Sequence, residues 1–315
     1  MDIELKGEVD LAFRISSRFF GESDTTLCPI VGKGSVNKVY VAKTAHDRAV
    51  VRMSDRINAF DEYQKEAWCI ERAAKLGVPV TAVLEVGAFE AHSYMIQSYI
   101  SGEDGRDSSL PPSEIWRELG RFARLIHSIS VAGFGLELAD MNDGDSQSSW
   151  LRYLNYNIES LNEDDELIRL GVLTPERSRV VKTIFEKLRE TAFNFGLNHG
   201  DISLKNVIID DGGRVNLLDW GSAEASIVPH HDLIQLLKMK MIENDPDDAA
   251  IGAFMDGYGF SQAEFDQMMP TLESLLLLRA FDKLRWAIDC EIDGLDDFVV
   301  HAKQASVRKF EFALD

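Results

Sequence analysis

Residues 198–224 read NHGDISLKNVIIDDGGRVNLLDWGSAE. Asp201 is followed five positions later by Asn206, and Asp219 comes thirteen positions after that. Each of the three sits where the chain changes direction, and the apolar runs VIID (207–210) and VNLLD (215–219) separate them. The spacing predicts a hairpin whose two ends are brought together. Two carboxylates and an amide are hard oxygen donors. They suit Mg²⁺, which takes few protein ligands and completes its shell with water and phosphate oxygens.

Working outward, the 315-residue chain is long for one compact unit and comfortable for two, and 45% hydrophobic residues can fill a sizeable core. No apolar run approaches the roughly 18 residues that a membrane-spanning helix needs. The acidic, amphipathic start MDIELKGEVDLAF reads as neither signal nor transit peptide. Cys28, Cys69 and Cys290 lie far apart without CxxC spacing, which argues against a disulfide framework or zinc site and fits a reducing cytoplasm. A formal net charge of −20 argues against nucleic acid and anionic membrane as partners. Most of that charge falls after residue 104, either as a solvated acidic surface or as a field that receives a cationic ligand.

Val9, Leu11, Ala12, Ile15, Phe19 and Phe20 recur at helical spacing and predict an opening helix over 7–20. Over 27–53 the period changes to two, predicting three short antiparallel strands. A helix over 58–76 follows, closed by Gly77 and Pro79, and then two strands within 81–100. The Gly-, Ser-, Asp- and Pro-rich segment SGEDGRDSSLPPS (101–113) is the linker candidate, and a helix starts from its last residues. Beyond it, helices are expected near 148–162, 174–196, 230–243, 247–257, 262–268 and 270–290, with the quoted hairpin as the one strand pair. The expected fold is α+β in two lobes, 1–101 strand-rich and 102–315 mainly helical, with a cleft at the linker.

HGDISLKN (199–206) and LLDWG (217–221) resemble the catalytic and metal-binding loops of the protein-kinase-like fold, with DWG where protein kinases have DFG. The HGD and DWG forms resemble the aminoglycoside phosphotransferase branch, whose members phosphorylate small molecules. The resemblance implies a two-lobed protein-kinase-like fold, with an antiparallel-sheet N-lobe for the nucleotide and a helical C-lobe for the acceptor. It implies Asp201 as catalytic base, and Asn206 and Asp219 as ligands of the Mg²⁺ that bridges the phosphates of ATP, with GTP left open as the donor. VGKGSVNKVY (31–40) resembles the glycine-rich loop, with Gly32, Gly34 and Ser35 at the phosphates and Asn37 in place of a third glycine. In AVVRM, alternation puts Val50 and Arg52 on one face. The resemblance makes Val50 a roof for adenine and sets Arg52 at the position usually held by lysine. A guanidinium fork there binds differently from an ammonium. Glu66 is the expected partner of Arg52, with Glu62 as its rival. Backbone groups near Ser98 and Ile100 would meet the adenine edge, and Ile208 would form the pocket floor. His199 and Asp232 are expected to be structural.

Only WGSAEASIVPHH separates Asp219 from Asp232, too little chain for the peptide platform of a protein kinase, so a small-molecule hydroxyl is the expected acceptor. An aminoglycoside-type antibiotic and a choline- or sugar-type metabolite both remain open. GFGLELADMNDG and SSWLRYL are similar to the hygromycin-phosphotransferase-like subgroup. Asp282, Trp286, Asp289 and Asp293 fall at helical intervals. They form either a face for a polyamine sugar or a core tryptophan with a solvated acidic rim. A reading of a different class is a nucleotide-binding regulator without turnover, suggested by Arg52 and the missing third glycine. The chain is expected to be a cytoplasmic monomer or weak dimer.

Overall fold

The computed structural model of the chain describes residues 2–21, 24–30 and 38–307. The first elements are α1 (Asp2–Phe20), β1 (Thr26–Pro29), β2 (Lys38–Lys43), β3 (Arg48–Ser54), α2 (Ala59–Lys75), β4 (Val83–Phe89), β5 (His92–Ser98) and β6 (Gly102–Asp104). There follow α3 (Pro112–His127), α4 (Leu138–Asn142), α5 (Ser146–Ser160), α6 (Glu166–Arg169), α7 (Pro175–Glu190) and β7 (Asn194–Asn198). The hairpin strands are β8 (Val207–Asp210) and β9 (Val215–Leu217). The chain continues through β10 (Glu224–Val228), α8 (His230–Glu243), α9 (Asp248–Tyr258), α10 (Gln262–Asp289) and α11 (Leu295–Val307).

Two compact units result: residues 1–109 with 205–223, and residues 110–204 with 224–315. The sequence predicted a single cut at 101/102. The quoted hairpin instead joins the first unit, because β8 pairs antiparallel with β6 and Leu217 bridges to Val80 beside α2.

In the first unit five antiparallel strands run in the order β1-β2-β3-β5-β4. Alternation along β3 sends Ala49, Val51 and Met53 into a core shared with Leu11, Ala12 and Ile15 of α1. The other face receives α2, where Ala59 and Tyr63 pack on Met95. Val50 and Arg52 lie on that second face, in register with Gln97 and Met95.

In the second unit α3 and α9 meet backbone to backbone. A Cβ on Gly120 would lie 2.0 Å from the Phe254 carbonyl oxygen, and one on Gly257 would lie 1.8 Å from that of Arg117. Only glycine permits this approach. The helix predicted over 174–196 stops at Glu190, and residues 194–198 form β7, which pairs with β10. Phe193 and Phe195 are aromatic, with strand preference, and the pairing with β10 overrides a helical pattern that the sequence extended too far. The helices predicted over 262–268 and 270–290 are one. α10 runs through Pro270, and Leu272, Leu275, Leu276, Leu278, Phe281 and Leu284 are buried beyond it. That burial outweighs the bond a proline removes. All three cysteines are free, and no helix among the described residues is long and apolar enough to cross a membrane.

Candidate active site

The quoted hairpin closes as its spacing predicts. β8 and β9 pair with Val207 opposite Leu217, and the Leu218 N–H donates to the Asn206 carbonyl at 2.8 Å. Asn206 is thereby fixed next to the strand end that leads into Asp219. Asp219 is exposed and adopts φ 59°, ψ 72°, the left-handed region that costs a non-glycine residue energy. Such strain persists where surrounding contacts over-determine it. Here the Lys65 ammonium on α2, itself buried, donates to the Gly221 carbonyl at 2.7 Å and pins the loop.

Arg52 lies on the same side of the first unit. Its guanidinium forks onto Glu66, with Nη1 to Oε2 at 2.5 Å and Nη2 to Oε1 at 3.1 Å. Glu62 bonds Arg56 instead, which resolves the two candidates in favour of Glu66. Burial disfavours the Arg52 charge, but the Glu66 charge and hydrogen bond outweigh it, with a smaller contribution from Asp219, and its pKa is raised. A Cβ on Gly221 would lie 3.5 Å from Glu66 Oε1 and 3.6 Å from Asp219 Oδ1, so Arg52, Glu66 and Asp219 form one local group.

The remaining nucleotide-side residues divide. Val50 and Ile208 are half-buried. The Ser98 N–H is committed to the Ala82 carbonyl at 2.8 Å, which removes it as a donor to adenine because a backbone N–H serves one acceptor well. Among the described residues the Ile100 backbone groups have no hydrogen-bond partner. Gly32, Gly34 and Ser35 lie outside the described residues.

In the second unit β7 ends at Asn198, and the chain turns through Gly200 at φ 78°, a conformation that glycine adopts without strain. Asp232, in the first turn of α8, is 1% exposed and organises this turn. Its carboxylate accepts from the His199 N–H at 3.1 Å and from the Gly200 N–H at 2.7 Å, and bonds His127 Nε2 at 2.9 Å. His127 Nδ1 lies 3.0 Å from the Tyr258 hydroxyl. Burial alone would raise the Asp232 pKa, but the His127 hydrogen bond and nearby histidine charge hold it at about 2. The Asp201 N–H donates to His199 Nδ1 at 3.3 Å, so this ring is structural, as expected, and fixes the backbone that presents Asp201.

Asn206 and Asp219 offer one amide and one carboxylate oxygen at the two ends of a tied hairpin. Among the described residues no group of three or more His, Cys, Asp or Glu could hold a metal. A pair of hard oxygens with solvent beside it fits Mg²⁺, which keeps waters and phosphate oxygens, and does not fit a cation needing an all-protein cage. The acidic face predicted on α10 is not assembled. The helix ends at Asp289, so Asp293 leaves the face, and Asp282 Oδ1 accepts from the Asn157 amide at 3.2 Å. Trp286 is 46% exposed rather than core, with the Lys283 ammonium 4.8 Å from its ring centroid.

The sequence missed Lys65, the His127–Tyr258 support and the cations on α8 and α10. Lys65 adjoins Glu66 and could have been suspected. The other groups converge from elements far apart in the chain.

No curated protein matches the sequence at significant similarity. Among solved structures, the aminoglycoside phosphotransferase APH(4)-Ia, crystallised as a thermostable mutant with AMP-PNP and hygromycin B, superposes with a TM-score of 0.64 at 17% identity, over 94% of this chain and 97% of that one. The GDP complex of aminoglycoside 2'-phosphotransferase-IIIa gives 0.67 at 13%, over 95% and 98%. A putative fructosamine-3-kinase from Haemophilus somnus 129PT gives 0.58 at 10%, over 94% and 96%. These likenesses agree with the expected protein-kinase-like fold. Residues 28–271 match the family model described as the phosphotransferase enzyme family, and on that match the chain belongs to this family.

Proposed function

We propose that this phosphotransferase moves the γ-phosphate of ATP to a hydroxyl of a small molecule. The observation that carries the reading is the tied hairpin, which holds Asn206 beside Asp219 while Arg52 and Glu66 pair next to the same loop. In the proposed reaction the acceptor oxygen bonds to the γ-phosphorus as the bond to the β–γ bridging oxygen breaks. ADP leaves with that electron pair, and the acceptor proton passes to the Asp201 carboxylate. Asn206 and Asp219 would hold Mg²⁺, which supplies neutralisation of phosphate charge. Arg52, oriented by Glu66, adds a fixed cation at the phosphates. Val50 and Ile208 enclose the adenine, and Ile100 meets its edge. Gly32, Gly34 and Ser35 cover the phosphates. A cytoplasmic location, where ATP and Mg²⁺ are abundant, suits this chemistry.

An aminoglycoside-type antibiotic is the acceptor class favoured by the likeness to a hygromycin B complex. A choline- or sugar-type metabolite fits the same chemistry. The regulator without turnover is disfavoured, because the Arg52–Glu66 pair is formed. The test is ADP release from Mg·ATP, and from Mg·GTP in parallel, across aminoglycosides, amino alcohols, sugars and hydroxy acids. Turnover with one acceptor class supports the proposal. Tight Mg·ATP binding with no turnover of any class would favour the regulator.

A further inference from the structure

Resting on that functional reading, we infer that the acceptor carries an anionic group, a carboxylate or a phosphate monoester, received by Lys238 of α8 and Lys283 of α10 beside Asp201. α8 and α10 pack together within the second unit. Arg279 and Lys283 stand one turn apart on α10, and Lys238 is near enough to both for its charge to be disfavoured by theirs.

Arg279 is accounted for. Its Nη2 lies 3.3 Å from Glu224 Oε2, and the other oxygen of that buried carboxylate is 3.0 Å from His231 Nδ1. The two lysines are not. Each is only partly exposed, yet neither has a hydrogen bond or ion pair among the described residues; Lys283 rests on the Trp286 ring alone. Four of the more deeply buried cations among the described residues have partners: Lys65 on the Gly221 carbonyl, Arg52 on Glu66, Lys240 on Asp248, and Arg285 on Asp165 and Asn157. Burial lowers the pKa of both lysines; Lys283 and Arg279 add to this at Lys238, and Arg279 adds to it at Lys283. Glu243 and Asp201 oppose this at Lys238, and Glu224 and Asp282 oppose it at Lys283. A third group faces the same place. His301 of α11 is lowered to about 4 by burial and the Lys238 charge, and its Nε2 is buried with no partner.

Two partly desolvated ammonium groups, both repelled by Arg279, are costly in a protein that has no use for them. A ligand anion between them would satisfy both, and a neutral His301 could add a hydrogen bond. Asp201 is among the charges that Lys238 feels, so an anion held there leaves the rest of the acceptor within reach of the base. A polycationic acceptor would meet repulsion at this position. An anionic acceptor is the opposite of the cationic ligand that the acidic composition left open beside a merely solvated surface.

The test uses the full chain with Mg·ATP and four acceptor arms: glycerate for a carboxylate, glucose 6-phosphate for a phosphate monoester, glucose for a neutral sugar, and hygromycin B for a cation. Turnover is expected with one anionic arm, which also identifies the anion. Lys238→Met and Lys283→Met should each raise the acceptor KM by roughly 10-fold to 100-fold, the worth of one charge-assisted contact, and leave the KM for ATP unchanged. Lys283→Arg should restore most of the loss, and matched thermal melts check folding. Turnover of glucose or hygromycin B with a KM indifferent to both methionine variants would overturn the inference and leave the phosphotransferase reading intact. Without turnover, saturable binding of glycerate or glucose 6-phosphate that weakens in both variants sustains the site, and no binding overturns it. Failure to bind Mg·ATP would instead overturn the functional reading.

Discussion

Replacing Arg52 separates a fork from a point charge. The wild-type guanidinium gives Glu66 two bonds, with the side chains 12% and 4% exposed. Lysine keeps the charge but cannot reproduce both bonds, so Arg52→Lys should cost about 1.5–3 kcal/mol of stability, one charge-assisted hydrogen bond. Arg52→Ala leaves the Glu66 carboxylate buried without its cation, which costs about 3–5 kcal/mol. Glu66→Ala should cost a similar amount by stranding the guanidinium. Because both changes break the same pair, the double alanine variant should be destabilised by less than the sum of the two. Urea unfolding followed by tryptophan fluorescence measures all four proteins, and ADP release measures their KM for ATP. The KM should rise moderately for lysine and strongly for alanine. Additive single-variant effects, or an unchanged KM for Arg52→Ala, would refute the pairing and its role.

Asp201→Ala should lower kcat by roughly 10²–10⁴-fold, the usual contribution of a general base, with Mg·ATP affinity nearly intact by equilibrium titration. Asp219→Ala should weaken ATP binding in Mg²⁺ and have little effect in its absence; equal weakening in both would remove Asp219 as a metal ligand. Asp232, held at about 2 against an ordinary 3.8, stabilises the fold by about 2 kcal/mol at neutral pH. Its folded pKa is depressed, so this contribution is present above pH ~4 and lost as the pH falls toward ~2. Asp232→Asn should therefore flatten acid unfolding in that window and, by releasing the Gly200 turn, lower kcat more than it raises the KM for ATP. Gly120→Ala should destabilise by about 1–3 kcal/mol or more, since its methyl would meet the Phe254 carbonyl; a thermal melt equal to wild type would contradict the close approach.

The parts legible in the sequence were those written in local spacing. Asn206 and Asp219 flank two short apolar runs, and strand alternation forces those runs to close as a hairpin. Val50 and Arg52 share a face because side chains in a strand alternate, and Glu66 lies on the next helix. Boundaries set by tertiary contact were not legible. The residues of β7 look like a continuation of α7 until β10 supplies a partner, and Pro270 looks like a break until the buried leucines beyond it are counted. Asp293 was placed on a helical face by extrapolating a period past the true helix end at Asp289. The lysines of α8 and α10 carry no motif, and only the folded chain shows that neither has a hydrogen bond or ion pair among the described residues.

The most direct measurement is ³¹P NMR of Mg·ATP with the active acceptor, run with the wild-type protein and with Asp201→Asn. A new phosphate-monoester resonance is expected to grow with ADP as the γ-phosphate signal decays, with almost none of it in Asp201→Asn at equal nucleotide occupancy. Monoester formation at the wild-type rate in Asp201→Asn, or release of inorganic phosphate alone for every acceptor, would contradict it.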